Sequence, residues 1–139
     1  MRLLIDTNVL LDVLADRKPH CESSALIWKL AETKQAECFI SALSVADIVY
    51  VMRKELDPDR TSEVLNGLRL IFGMVGLEPQ YLIDAAGLGW DDFEDAVQSV
   101  TAGDIKADYV ITRNTKDFNL SRVPAITPSE YLKRIYGLT

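Results

Sequence analysis

The sequence predicts an α/β domain around a mainly parallel, five-stranded sheet of order 3-2-1-4-5, and three observations carry that prediction. Short apolar runs alternate with longer segments of helical periodicity, the pattern of strands joined by crossover helices. Acidic residues gather at the carboxyl ends of those runs. The 139 residues suit one compact domain, 1–139, with enough chain to enclose a core.

Taken in order, residues 2–6, Arg2-Leu3-Leu4-Ile5-Asp6, read as a buried strand that ends in an acid. Val9, Leu10, Val13 and Leu14 then mark a helix over 9–16. Leu26, Ile27, Leu30 and Ala31 share one face of a helix over 20–34, with Trp28 to the side. A second strand covers 37–41, and Val45, Ile48, Val49 and Met52 describe a helix over 44–56. Val64, Leu65, Leu68 and Ile71 describe another over 59–73. A weaker strand over 74–77 leads into a short helix, 80–86, stopped at Gly87. Phe93, Ala96, Val97 and Val100 form one side of a helix over 92–106, before the clearest strand, 109–112. Pro124 places a fifth strand, 124–127, at an edge, because proline lacks a ladder donor. Thr127-Pro128-Ser129-Glu130 opens the last helix with a cap, a proline in the first turn and a glutamate three positions on.

Composition removes several functions. Cys21 and Cys38 lie in different elements without a CxxC, and His20 is the single histidine, so a zinc site and Ser-His or Cys-His catalysis have no basis. No run approaches the ~20 apolar residues of a membrane helix, and Asp6 interrupts any signal-like start. A cytoplasmic protein with no membrane partner is the expectation. A net charge of −6 is the wrong sign for gripping nucleic acid over a broad basic surface. Any such substrate must be held by a small site where divalent cations offset the acids.

Chemistry in such a sheet gathers beyond the carboxyl ends of the strands, where strand order reverses. Asp6 ends the first strand and Asn8 follows closely; Ser44 and Asp47 begin the helix after the second. The helix over 92–106 must run back toward the start of the fourth strand, so Asp91, Asp92 and Asp95 at its own start lie at the same edge. Thr112-Arg113-Asn114-Thr115-Lys116-Asp117-Phe118 leaves the fourth strand there too. These segments meet only if the first and fourth strands are neighbours with the second on the other side of the first, which gives the 3-2-1-4-5 order. Crowded carboxylates repel unless protonated or neutralised. Hard divalent cations relieve the conflict and can drive phosphodiester hydrolysis without histidine or cysteine. Each acid also has a plainer reading. Asp6 and Asn8 suit helix capping, Ser44-Val45-Ala46-Asp47 has the form of a simple helix start, Asp91 and Asp92 suit the helix dipole, and Asp117 suits a surface turn. Asp95, at the edge of an apolar face, fits a solvated role least well.

Three stretches resemble motifs of the PIN-domain family, particularly its VapC-like toxin branch. Asp6-Thr7-Asn8-Val9-Leu10-Leu11-Asp12 is similar to the opening motif and Phe93-Glu94-Asp95-Ala96 to the third acidic motif. Residues 107–118, Ala107 to Phe118, are similar to the closing block, and the likeness runs from Arg2 to about Leu132. The resemblance implies a three-layer α/β/α fold, a Mg²⁺ or Mn²⁺ site and endoribonuclease activity on RNA. By position it implies that Asp6, Asp95 and Asp117 are metal-site carboxylates, with Asp47 a further catalytic acid. Asn8, Thr112 and Asn114 become supporting polar groups. One departure stands out: the family usually has glutamate where this chain has the shorter Asp47. A small antitoxin partner and a homodimer are also implied. The helices over 44–56 and 59–73 offer a dimer face, although core packing explains their apolar residues equally well. Arg53, Lys54, Arg113, Lys116 and Arg122 either touch phosphates or remain solvated. The alternative is a catalytically weak PIN-like module that binds RNA or a protein, consistent with Asp47 and the acidic balance. A phosphotransfer protein fits poorly, since Asn8 stands where a phosphatase needs its second aspartate, and a P-loop is absent.

Overall fold

The computed structural model describes residues 1–138; Thr139, the last residue of the expected domain, lies outside them. The chain runs β1 (Arg2–Ile5), α1 (Thr7–Leu14), α2 (Cys21–Glu32), β2 (Glu37–Ser41), α3 (Ala42–Val51), α4 (Pro58–Ile71) and β3 (Gly73–Val75). It continues through α5 (Pro79–Leu88), α6 (Phe93–Asp104), β4 (Tyr109–Ile111), a 3-10 turn (Thr115–Phe118), β5 (Ala125–Ile126) and α7 (Pro128–Tyr136). The sheet order is β3-β2-β1-β4-β5, with every neighbouring pair parallel, as the position of the acids predicts.

Alternation along β1 divides the core between the two faces of the sheet. Leu3 and Ile5 point into the larger layer, with Val9 and Leu10 of α1, Ile27 of α2, Ile48 of α3, Leu68 of α4 and Tyr131 of α7. Leu4 points the other way, toward Ala102 of α6, Val110 and Phe118. Ala85 of α5 packs on Ala96 and Val97 of α6 to complete that second layer. The result is a three-layer α/β/α sandwich. Leu3, Leu4, Ile5 and Val110 are each at most 1% exposed, so β1 and β4 are held at the centre by about 2 kcal/mol of burial per large side chain.

Several helix boundaries differ from expectation, each for a local reason. The helix expected from 44 begins at Ala42, because Ser41 ends β2 and caps α3 at once, its side chain accepting from Leu43 N at 3.1 Å. The chain therefore turns from strand to helix without a loop. The helix expected to stop at Gly87 continues to Leu88, and Gly89 supplies the left-handed terminus at φ 68°. Phe93 and Leu26, expected on buried faces, are 47% and 42% exposed. On α2 it is Trp28 that packs inward, edge-on to Phe72 at 5.1 Å between ring centres. The last helix opens as its sequence indicates, with Thr127 accepting from Glu130 N at 3.1 Å.

Candidate functional site

The carboxyl end of β1 delivers Asp6 to the point where strand order reverses. Its backbone N–H donates to Ile111 O at 2.9 Å, which ties the end of β1 to the end of β4. The Asp6 side chain is 5% exposed and accepts from four donors. Thr7 N (2.8 Å) and Gln98 Nε2 (3.3 Å) bind Oδ1, while Thr112 Oγ1 (2.7 Å) and Asn8 Nδ2 (3.3 Å) bind Oδ2. The capping reading of Asp6 thus holds for the bond to Thr7, yet capping uses only one of the four. Asn8 is inside α1; its Nδ2 also donates to Thr112 Oγ1 at 3.3 Å, and its Oδ1 accepts from Arg113 N at 3.3 Å. Asn114 contributes its backbone N–H, which donates to Thr112 Oγ1 at 3.1 Å, and among the described residues its side chain has no hydrogen bond.

Other acids surround this carboxylate. Burial pushes the Asp6 carboxyl above the ordinary aspartate range, against the pull of its donors Thr112 and Thr7, and the charges of Asp92 and Asp47 add to the rise. Asp95, on the first turn of α6 and 7% exposed, is pushed up to about 7. Burial is the main cause, followed by the like charges of Asp6, Asp92, Asp117 and Glu94. Asp117 lies on the exposed 3-10 turn after β4. Asp92 caps α6 by accepting from Asp95 N at 3.0 Å and is also part of this field. The structure therefore brings Asp95 within electrostatic reach of both Asp6 and Asp117.

Asp47 is not a helix-start residue. It falls in the second turn of α3, since Ser41 is the cap, and its carboxyl faces Glu94. Glu94 is pushed up to about 7 by desolvation and by sharing a hydrogen bond with Asp47, with Asp92 and Asp6 adding repulsion. Sequence reasoning quoted Glu94 within a motif but gave it no role, and it passed over Gln98 altogether. The signal for Gln98 was available: a polar residue three places after Asp95, on a helix otherwise lined by small and apolar groups. Gln98 is 2% exposed and its Nε2 also donates to Ser44 Oγ at 2.7 Å. Ser44 in turn accepts from Thr7 Oγ1 at 2.8 Å, so α1, α3 and α6 are joined beneath Asp6.

The basic residues are not gathered at this rim. Arg113 Nε is bonded to the buried Asp12 Oδ2 at 2.8 Å, and Ser24 Oγ donates to the same oxygen at 3.1 Å. Arg53 folds back over the Tyr50 ring at 4.3 Å. Lys54, Lys116 and Arg122 are exposed.

The donor set itself decides whether a divalent cation suits these residues. Its members are hard oxygen donors whose mutual repulsion is relieved by protonation or by a cation. Gln98 Oε1 adds a buried oxygen without a hydrogen-bond partner. Among the described residues, no three acidic, imidazole or thiol groups already converge on one point. As they stand the side chains form a repelling cluster rather than a finished coordination shell, and their chemistry fits a hydrated magnesium- or manganese-like ion.

A family model described as PIN domain matches residues 2–116. No curated protein matches the sequence significantly. Among solved structures, the chain is similar to a toxin-antitoxin complex from Klebsiella pneumoniae, with a TM-score of 0.70 and 21% identity over 91% of this chain and 97% of that one. It is similar also to FitAcB from Neisseria gonorrhoeae, with a TM-score of 0.64 and 20% identity over 91% and 98% of the two chains. VapBC2 from Rickettsia felis, bound to a DNA fragment from its promoter, gives a TM-score of 0.68 at 16% identity over 91% and 98%. At these identities the structural matches speak to fold.

Proposed function

Because the chain belongs to the PIN-domain family, we propose that it is a divalent-metal-dependent endoribonuclease and the toxin of a toxin–antitoxin pair. The observation that carries this reading is the grouping of acids from four separate segments around Asp6 and Asp95, with Asp95 and Glu94 each pushed up to about 7 by burial and by their neighbours' charges. Mg²⁺ or Mn²⁺, when bound, supplies charge neutralisation and Lewis acidity at the phosphodiester. Asp6, Asp95 and Asp117 are the residues that would hold it. Asp47 with Glu94 flanks them, and Glu94 provides a longer side chain beside the shortened Asp47. Thr112, Asn8 and the Asn114 backbone keep Asp6 oriented, so that it presents a fixed carboxylate rather than searching rotamers. Lys116, exposed on the same turn as Asp117, is the basic residue that would meet a substrate phosphate.

The test is cleavage of single-stranded RNA by the purified protein with Mn²⁺ or Mg²⁺, repeated in EDTA. Activity should require the metal, and Asp6→Asn should abolish it while leaving the circular dichroism spectrum unchanged. Undiminished cleavage by Asp6→Asn would reject the assignment. Asp47, one methylene shorter than the family's usual glutamate, favours one second reading: a catalytically weak module that binds RNA or protein. That module would show no metal-dependent cleavage and little stabilisation by Mn²⁺.

Partners follow from the same reading. Similarity to a toxin-antitoxin complex supports a small antitoxin as partner, testable by co-purification with the product of an adjacent short reading frame. Tyr50, Val51 and Leu70, at 65%, 47% and 78% exposure, give α3 and α4 an apolar surface suited to a homodimer, which sedimentation would detect. Among the described residues no helix is long and apolar enough to cross a membrane; a cytoplasmic site of action is part of the proposal.

A further inference from the structure

We propose that Gln98 is a positioning residue of the metal site, whose side-chain amide fixes Asp6 with its nitrogen and offers its buried oxygen to the hydrated cation. The inference rests on the metal-dependent reading above and extends it to a residue outside the acidic set.

The amide's orientation is set by its neighbours. Nε2 donates to Asp6 Oδ1 at 3.3 Å and to Ser44 Oγ at 2.7 Å. Flipping the amide would place an oxygen against the Asp6 carboxylate, so the donor must stay on that side. Among the described residues Oε1 is thereby left buried with no partner, in a residue 2% exposed. An unmade hydrogen bond at such a place is costly. Methionine or leucine would fill the same volume on α6 without that penalty. The amide is three residues after Asp95, which puts both on one face of the helix, toward the carboxylates. A hydrated divalent ion held by those carboxylates would bring O–H donors to this buried acceptor. Gln98 is neutral, so it can serve without adding to the repulsion that already raises Asp6 and Asp95.

The experiment is Mn²⁺ titration of the full chain, followed by thermal shift and by calorimetry, without RNA. Gln98→Met removes donor and acceptor at nearly constant volume, and should weaken Mn²⁺ binding by about 10-fold or more, the usual effect of losing such a supporting contact. Gln98→Glu keeps an oxygen at the acceptor position but loses the donor to Asp6, so it should lose clearly less Mn²⁺ affinity than the roughly 10-fold of Gln98→Met, while its melting temperature in EDTA falls from added repulsion. Equal Mn²⁺ affinity in Gln98→Met and wild type would overturn the inference. So would equal losses in both variants, since that result means the amide acts only by holding Asp6. If Gln98→Met does not fold, retention or loss of affinity in Gln98→Glu decides alone. A wild type that binds no Mn²⁺ would overturn the metal reading and this inference together.

Discussion

Replacing Asp95 by asparagine should make the metal-free protein more stable at alkaline pH and leave it unchanged at acid pH. Asp95 is pushed from 3.8 up to about 7, first by burial and then by Asp6, Asp92, Asp117 and Glu94. It therefore binds its proton more tightly in the folded chain than in the unfolded one. Its contribution favours folding below about pH 4, is lost as pH rises toward 7, and is least favourable above that. The full displacement corresponds to roughly 4 kcal/mol; screening at the open mouth of the site reduces this to about 2 kcal/mol. With an unfolding entropy near 2.1 cal/mol/K per residue, that gain raises the melting temperature of Asp95→Asn by about 7 °C at pH 8. Differential scanning calorimetry in EDTA at pH 3 and pH 8 would measure it. If Asp95 holds the metal as proposed, saturating Mn²⁺ at pH 8 should reverse the order, because the variant lacks one anionic ligand. A variant less stable than wild type at pH 8, or one shifted equally at both pH values, would refute the electrostatic account of the cluster.

Other substitutions test the frame around the site. Arg113→Met strands the buried Asp12 carboxylate and should cost about 3 kcal/mol in urea unfolding, with Asp12→Leu added to it restoring part of the loss. Thr127→Ala removes the α7 cap and should cost about 1 kcal/mol, a drop of ~3 °C in the melting temperature. Gly73→Ala would bring a Cβ within 2.6 Å of the Phe39 ring, so about 1–3 kcal/mol should be lost and exchange protection of β3 reduced.

The strand order was legible because it was the arrangement that let acids at 6, 47, 95 and 117 share an edge, and apolar runs on short strands are strong signals. The start of α3 was not, because Ser44-Val45-Ala46-Asp47 imitates a capped helix start while the real cap, Ser41, is hidden as the last residue of a strand. Gly87 and Gly89 both stop helices in principle, and the choice between them depends on the packing of α5 against α6. The α6 stripe misled in another way. This helix is covered by the sheet on one side and α5 on another, so Asp95, Gln98, Ser99 and Thr101 are buried together with Val97, and apolar periodicity alone understates its buried face. Glu94 and Gln98 were missed because their roles arise from Asp47, Ser44 and Asp6, residues 47 to 92 positions away. Arg113, open to a phosphate role by sequence, is engaged by a residue 101 positions earlier.

The hydrogen bond from Thr112 to Asp6 closes a loop of 106 residues. Until β4 has been synthesised and has paired alongside β1, Asp6 lacks the donor that approaches it most closely, at 2.7 Å. A fragment ending ahead of residue 112 would keep Asp6 but lose the hydroxyl that bridges it to the neighbouring strand.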